Sequence, residues 1–273
     1  MTSYKGKHSE FYDIFYASKP YAEEARFVCE CFERYGLDLN GLRLLELACG
    51  TGTHALHFAR MGCNVTATDS APGMLSIARS KAKIQGIDVV FLEQDMRFLA
   101  ASETPFDAVV CLFDSIGYVQ TNEALDQVFS GVRANLRPGG FFVFEFWHAP
   151  AMLKIYDPVR VRRFPTKEGI ILRISETTLL PEKSLANVAY DIYELHNDLT
   201  YKHVTETQTN RYFTIDEIKK CSVEHRFTPM AFHAGFDRSA LVTDHTWHVI
   251  AVWQKTMTPH ERSRDEMQPC LKS

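Results

Sequence analysis

An open, doubly wound α/β sheet, mostly parallel, is the fold the chain predicts, and three observations predict it. Short apolar runs alternate with amphipathic stretches from Leu42 to Trp147, the pattern of parallel strands joined by helical crossovers. A glycine turn, Cys49-Gly50-Thr51-Gly52, cuts the first apolar run where a helix should begin. The next strand closes on a carboxylate, Asp69, 17 residues after Gly52, near the place of the ribose-binding acid in a βαβ nucleotide site.

Each element follows from its own pattern. Residues 9 to 36 carry aromatic and small apolar residues at helical spacing and end at Gly36, predicting one or two helices divided at Pro20. Leu42, Leu44, Leu45 and Leu47 form a run too short for a helix, and Thr53 to Met61 resumes at helical spacing. The β-formers Val65, Thr66 and Thr68 lead to Asp69, and Pro72 to Gln85 reads as a helix stopped by Gly86. Asp88 to Leu92 and the nearly all-apolar Phe106 to Phe113 are the third and fourth strands. A helix from Asn122 to Leu136, an Arg137-Pro138-Gly139-Gly140 turn and a fifth strand, Phe141 to Trp147, complete the alternation.

Beyond Pro150 the texture changes. Residues 159 to 164, 169 to 180, 185 to 196 and 201 to 213 are rich in Val, Ile, Thr and Tyr between short polar turns, predicting an antiparallel meander inserted after the fifth strand. Thr214-Ile215-Asp216-Glu217 is a capping box that opens a helix to about His225. Met230 to Phe236 and Thr246 to Trp253 return as a sixth and seventh strand. The expected divisions are a helical lid at 1–40, a core at 41–150, the β insertion at 151–213, the last helix and strands at 214–255, and a disordered tail at 256–273.

Composition narrows the function. With 273 residues, 45% hydrophobic, the chain has ample material for a core. Its net charge of -4 gives no electrostatic footprint for nucleic acid or an anionic membrane, so a small-molecule substrate is expected. Seven cysteines, an odd number with several inside apolar segments, favour a reducing cytoplasm. No apolar stretch approaches a membrane span, and the opening MTSYKGKHSEFYDIF has no continuous apolar h-region.

The turn Gly50-Thr51-Gly52-Thr53-His54-Ala55 satisfies G-x-G-x-x-G/A, which in a dinucleotide site lets backbone approach a pyrophosphate. Glu46, inside the first strand, opposes that reading, because a buried carboxylate repels phosphate and calls for a cation. A salt bridge from Glu46 to Arg43 or Arg60 is its alternative. The block E-L-A-C-G-T-G (46–52), followed by D-S-A-P-G-M-L (69–75), resembles the signature of class I S-adenosylmethionine-dependent methyltransferases, whose cofactor carries a sulfonium and an ammonium. The pattern Y-D-x-x-Y-x-x-K-x-Y-x-x-E-A, Tyr12 to Ala25, is similar to the lid of those that methylate amino groups of small molecules, including nucleotide-linked amino sugars.

The resemblance implies a Rossmann-like seven-stranded sheet and a role for each matched position. Asp69 would accept hydrogen bonds from the ribose. Met74, Asp95 and Met96 would hold the adenine. Tyr21, Glu46, Ala48, Gly50, Gly52 and Phe113 complete the cofactor set, with Glu46 near the methionine moiety and Gly52 allowing close backbone approach. A backbone carbonyl of Phe113-Asp114-Ser115, or Asp114 itself, would hold an acceptor amine, and Tyr16, with Tyr12 or Tyr21, would line the acceptor pocket. His148, just after the fifth strand, is placed to take a proton. A helix cap for Asp69, and core packing for the methionines and tyrosines, are the structural alternatives. No metal is expected, because no ligand cluster with recognisable spacing is visible. The implied reaction is methyl transfer to a small-molecule acceptor, an amine nitrogen first and a hydroxyl second. A non-catalytic S-adenosylmethionine-binding module and a nicotinamide-dependent oxidoreductase are the readings from other classes. The β insertion is the expected surface for self-association, if any.

Overall fold

The structure, a computed structural model, describes residues 7–155 and 157–257. Two helices lead the chain, α1 (Lys7–Phe15) and α2 (Tyr21–Arg34). They part where expected, since Pro20 disfavours helical backbone at Lys19 before it. Then come β1 (Arg43–Leu47), α3 (Thr53–Arg60), β2 (Asn64–Asp69), α4 (Pro72–Gln85) and β3 (Val90–Glu93). Proline opens α4, and Gly86, with φ of 63°, closes it, an asymmetry set by proline's fixed φ and glycine's freedom at positive φ. β4 (Phe106–Cys111), α5 (Asn122–Asn135) and β5 (Leu136–Trp147) follow. The capping box holds at α7 (Ile215–Glu224), where Thr214 accepts from the Glu217 amide at 3.1 Å.

Seven strands form one sheet in the order β10-β11-β5-β4-β1-β2-β3, with β10 (Phe227–Ala234) at the edge and β11 (His248–Lys255) antiparallel to β5. Two buried clusters cover its faces. One joins Val28 and Phe32 of α2 to Leu56 of α3 and Leu75 of α4, and the other joins Phe129 of α5 to Phe142, Phe144 and Trp253. Strand order reverses between β1 and β4, and in open α/β sheets ligands bind outside the carboxyl ends of the strands at that point.

The insertion is a separate four-stranded antiparallel sheet, β6 (Val159–Pro165), β7 (Gly169–Leu180), β8 (Leu185–His196) and β9 (Tyr201–Arg211). It leans on the lid: Phe11 and Phe15 of α1 are buried against Ile171 and Ile192.

Several strand ends shift by two or more residues, and three boundaries differ from expectation for a visible reason. β5 begins at Leu136, because the Arg137-Pro138-Gly139-Gly140 segment forms an irregularity within the strand beside Asp107, whose Oδ1 accepts from Arg137 Nε at 2.6 Å. β10 starts at Phe227 and tolerates Pro229 with a register shift, as an edge strand can. A seven-residue helix, α6 (Ala149–Ile155), stands where the insertion was expected to start. The expected tail, 256–273, lies outside the described residues from 258 onward.

Candidate active site

The glycine turn is locked from below by Asp69. Its Oδ2 accepts from the Gly50 amide and its Oδ1 from the Ala71 amide, each at 2.8 Å, and burial pushes its pKa up. Asp69 thus holds the β1 turn and the start of α4 while still lining a cleft. Glu46 lies 2% exposed in β1. Neither Arg43 nor Arg60 reaches it: Arg43 binds the carbonyls of Thr104 and Pro105, and Arg60 binds Gln85. Its Oε2 has no hydrogen-bond partner, and burial holds its pKa well above the usual carboxylate range. Its neighbour is His54, Nδ1 to Oε1 3.9 Å, and the other ring nitrogen of His54 sits 2.7 Å from Glu24, which Lys19 also contacts. Burial lowers the pKa of His54.

Two adjoining cavities surround this turn. The larger, about 810 Å³, is lined by Ala48, Gly50, Asp69, Met74, Asp95, Met96 and Phe113. The second, about 320 Å³, adds Tyr21, Glu46, Thr51 and His54. Nine of the ten expected cofactor residues therefore share one continuous mouth. Gly52 does not. With φ of 73° it precedes α3, and a Cβ there would lie 2.9 Å from Ala78 and Phe91, so α4 and β3 dictate glycine, not a ligand. Asp95 is partly engaged, since Arg97 grips its carboxylate at 3.0 and 2.5 Å and holds its pKa low.

The lid is fastened at one latch. Thr51 Oγ1 donates to Asp13 Oδ1 at 2.7 Å, and Lys81 of α4 reaches Asp13 at 3.1 Å and Thr53 at 2.7 Å. This brings Tyr12 over Gly50 and into both of these cavities. Tyr16 sits edge-on to Phe113 at 4.8 Å and lines a third cavity. The tyrosines divide between the cavities: Tyr16 lines the third, whereas Tyr12 lines the first two and Tyr21 the second.

The third cavity, about 840 Å³, is walled by the lid, the end of β4 and the small sheet. Phe113 lines all three cavities. Phe113 (φ 56°), Asp114 (φ 54°) and, opposite them, Ala48 (φ 51°) adopt left-handed backbone, a strain that clusters at functional sites. Asp114 is 4% exposed and its Oδ1 makes no aligned hydrogen bond. Oδ2 lies 2.8 Å from His248 Nδ1, which is also 3.1 Å from Glu145 Oε1. The second Glu145 oxygen accepts from the Phe113 amide at 2.6 Å. Burial, only partly offset by His248, raises the Asp114 pKa to about 6, while the Asp114 carboxylate raises that of His248 to about 11. The imidazolium thus takes the place of a cation between two buried carboxylates. Sequence spacing does not show this cluster, because Asp114, Glu145 and His248 come together only in the fold, where they are close enough to hold a metal ion.

His148 is also corrected. Trp147 lines the third cavity, and the next residue along the chain turns away, its Nδ1 3.2 Å from the Thr246 carbonyl. His148 lines none of the three cavities. Sequence reasoning passed over Glu145 and His248. Glu145 had a signal, as the one charge inside the apolar run FFVFEFW. His248 had none.

A left-handed glycine turn before α3, an acid at the end of β2 and a buried carboxylate in β1 with one unpartnered oxygen suit a cationic nucleoside. The methyltransferase domain family matches residues 44–140. A dTDP-3-amino-3,6-dideoxy-alpha-D-glucopyranose N,N-dimethyltransferase of Streptomyces fradiae is 32% identical over 81% of this chain and 83% of its own length. Among solved structures, an S-adenosylmethionine-dependent methyltransferase from Clostridium acetobutylicum superposes with a TM-score of 0.79 at 21% identity, covering 92% of this chain and 98% of that one. The amino pentose methyltransferase of calicheamicin biosynthesis from Micromonospora echinaspora, solved with S-adenosylmethionine bound, gives 0.74 at 22% identity over 94% and 99%. The chain belongs to the class I S-adenosylmethionine-dependent methyltransferases. Its residues fit that cofactor: the orphaned Glu46 oxygen suits a cation, Asp69 borders the nucleoside cleft, and Met74 and Met96 offer apolar walls there. Among the described residues no helix is long and apolar enough to cross a membrane.

Proposed function

We propose that the protein transfers a methyl group from S-adenosylmethionine to the amine nitrogen of a small molecule held in the third cavity. The observation that carries this reading is the Asp114 carboxylate, buried beside Trp147 and lining the cavity, its Oδ1 without an aligned hydrogen bond, on the strained segment between the third cavity and the other two. S-adenosylmethionine supplies an electrophilic methyl group on a sulfonium, so the protein's task is placement and exclusion of water. Asp114 accepts a hydrogen bond from the amine N–H and so turns its lone pair. Glu145, through the Phe113 amide, and His248, through Oδ2, fix the carboxylate. Tyr16 and Phe113 shield the seam between the cavities. The named activity of the Streptomyces fradiae relative, an N,N-dimethyltransferase, supports nitrogen over oxygen.

The test is product mass spectrometry with S-adenosylmethionine and matched panels of amines and phenols, each with and without EDTA. Amines should be methylated with EDTA present, and Asp114→Asn should lower kcat about 100-fold with cofactor affinity unchanged. Methylation of phenols alone, lost on chelation and restored by magnesium, would instead make Asp114, Glu145 and His248 a metal centre for O-methylation.

A further inference from the structure

The acceptor cavity has two electrically opposite ends. Asp114 stands at one. The other is the inner face of the small sheet, where Arg160 and Arg162 of β6 and Arg173 of β7 all line the wall. Arg162 and Arg173 are register partners on antiparallel strands, and like charges set directly opposite destabilise a sheet unless something compensates them. Arg160 has a carboxylate, Asp157, at 3.5 Å. Among the described residues neither Arg162 nor Arg173 has one within 4.0 Å.

Arg173 is the unusual member. It is 7% exposed, and its Nη1 has no hydrogen-bond partner. Rings surround the guanidinium: Phe15 at 4.7 Å, Tyr16 and Phe164 at 5.6 Å, and Tyr190 at 5.7 Å. Cation–π contacts fix its plane but supply no acceptor for its N–H groups. A buried guanidinium with an open donor is costly when empty and pre-organised for a planar or tetrahedral oxyanion.

We infer that Arg162 and Arg173 form an oxyanion site that docks an anionic group, phosphate or carboxylate, carried by the acceptor at the end of the molecule away from its amine. This rests on the third cavity being the acceptor pocket. The acceptor is then bipolar, its amine toward Asp114 and its anion toward the small sheet, and the two ends set its orientation together.

Calorimetry on the full chain saturated with S-adenosylhomocysteine tests this, with inorganic pyrophosphate, inorganic phosphate and acetate as probes. At least one oxyanion should bind. Arg162→Gln should weaken it about tenfold, the loss of one charge-assisted pair, with the melting temperature and cofactor affinity unchanged. Arg173→Lys keeps the charge but removes the fork, and should weaken the same probe. Preference for the phosphates or for acetate identifies which anion the acceptor carries. No binding to the wild type, or equal binding to wild type and Arg162→Gln, overturns the inference. If Arg173 merely cements the lid, Arg173→Lys lowers the melting temperature while Arg162→Gln changes nothing. Because anion binding is read without turnover, a failure to methylate any amine would count against the proposed reaction and leave the anion result standing.

Discussion

The cofactor mouth and the acceptor cavity meet at Phe113, yet they are built on different principles. The mouth is centred on one stretch of about thirty residues, β1 to the start of α4, whose βαβ geometry places Glu46, Ala48, Gly50, Asp69 and Met74, while Tyr12, Tyr21, Asp95, Met96 and Phe113 close it from outside that stretch. The acceptor cavity draws Tyr16 from the lid, Asp114 from the end of β4, Arg173 from the insertion and His248 from the last strand. A site centred on one local unit tolerates little change in its backbone. A site made from four distant segments can be altered one segment at a time, which is how one cofactor can serve many acceptors.

The difference makes its largest prediction at Gly52. If the turn's geometry is set by packing inside the unit, then Gly52→Val places a β-branched residue at φ of 73° with its Cβ 2.9 Å from Ala78 and Phe91. Left-handed backbone and overpacking together cost about 2 to 5 kcal/mol. Thermal or urea unfolding without any ligand should show this loss. A variant with native stability that merely fails to bind S-adenosylmethionine would return Gly52 to the ligand-contacting set.

A second prediction addresses the acceptor side through pH. Asp114 must be ionised to accept from an amine, and its pKa of about 6 places the acid limb of kcat near that value: activity is present above it and lost below. His248, raised to about 11 by Asp114, is charged throughout the working range. Its contribution to stability is full below the ordinary histidine pKa and disappears only as pH rises toward 11. His248→Gln removes that charge and leaves Asp114 and Glu145 as buried neighbours, so the acid limb should move up by about one to three pH units. An unmoved limb with normal cofactor binding would mean that Asp114 titrates without reference to His248.

Legibility in the sequence follows the same division. β1, α3, β2 and α4 were readable nearly to the residue because apolar period, turn glycine and proline at a helix start are local signals, and Glu46 stood out as a charge where burial forbids an unpartnered one. The four strands of the insertion were readable as strands, but not what they face. Arg162 and Arg173 become partners only through the β6–β7 register, and 103 residues separate Glu145 from His248 although they lie 3.1 Å apart. His148 misled because proximity in sequence to the end of β5 says nothing about which way the chain turns after Trp147. Gly52 misled for the opposite reason, since its motif is a local signal whose cause, contact with Ala78 and Phe91, is tertiary.

The smallest expected effect tests where the two regions touch. Tyr16 packs on Phe113 at 4.8 Å and on Tyr12 at 4.8 Å, and it lines the acceptor cavity without lining either cofactor cavity. Its side chain therefore belongs to the wall between the regions, on the side of the third cavity. Tyr16→Phe keeps the ring, and with it the shield against water. What it removes is one neutral hydrogen-bonding group, worth about 1 kcal/mol or roughly fivefold in a kinetic constant. That loss should fall on the acceptor KM or on kcat, with S-adenosylmethionine affinity and the melting temperature unchanged. Were Tyr16 only a packing residue, the substitution would be kinetically silent. Were it part of the cofactor mouth, the change would appear in cofactor affinity first, and the boundary drawn at Phe113 would have to move.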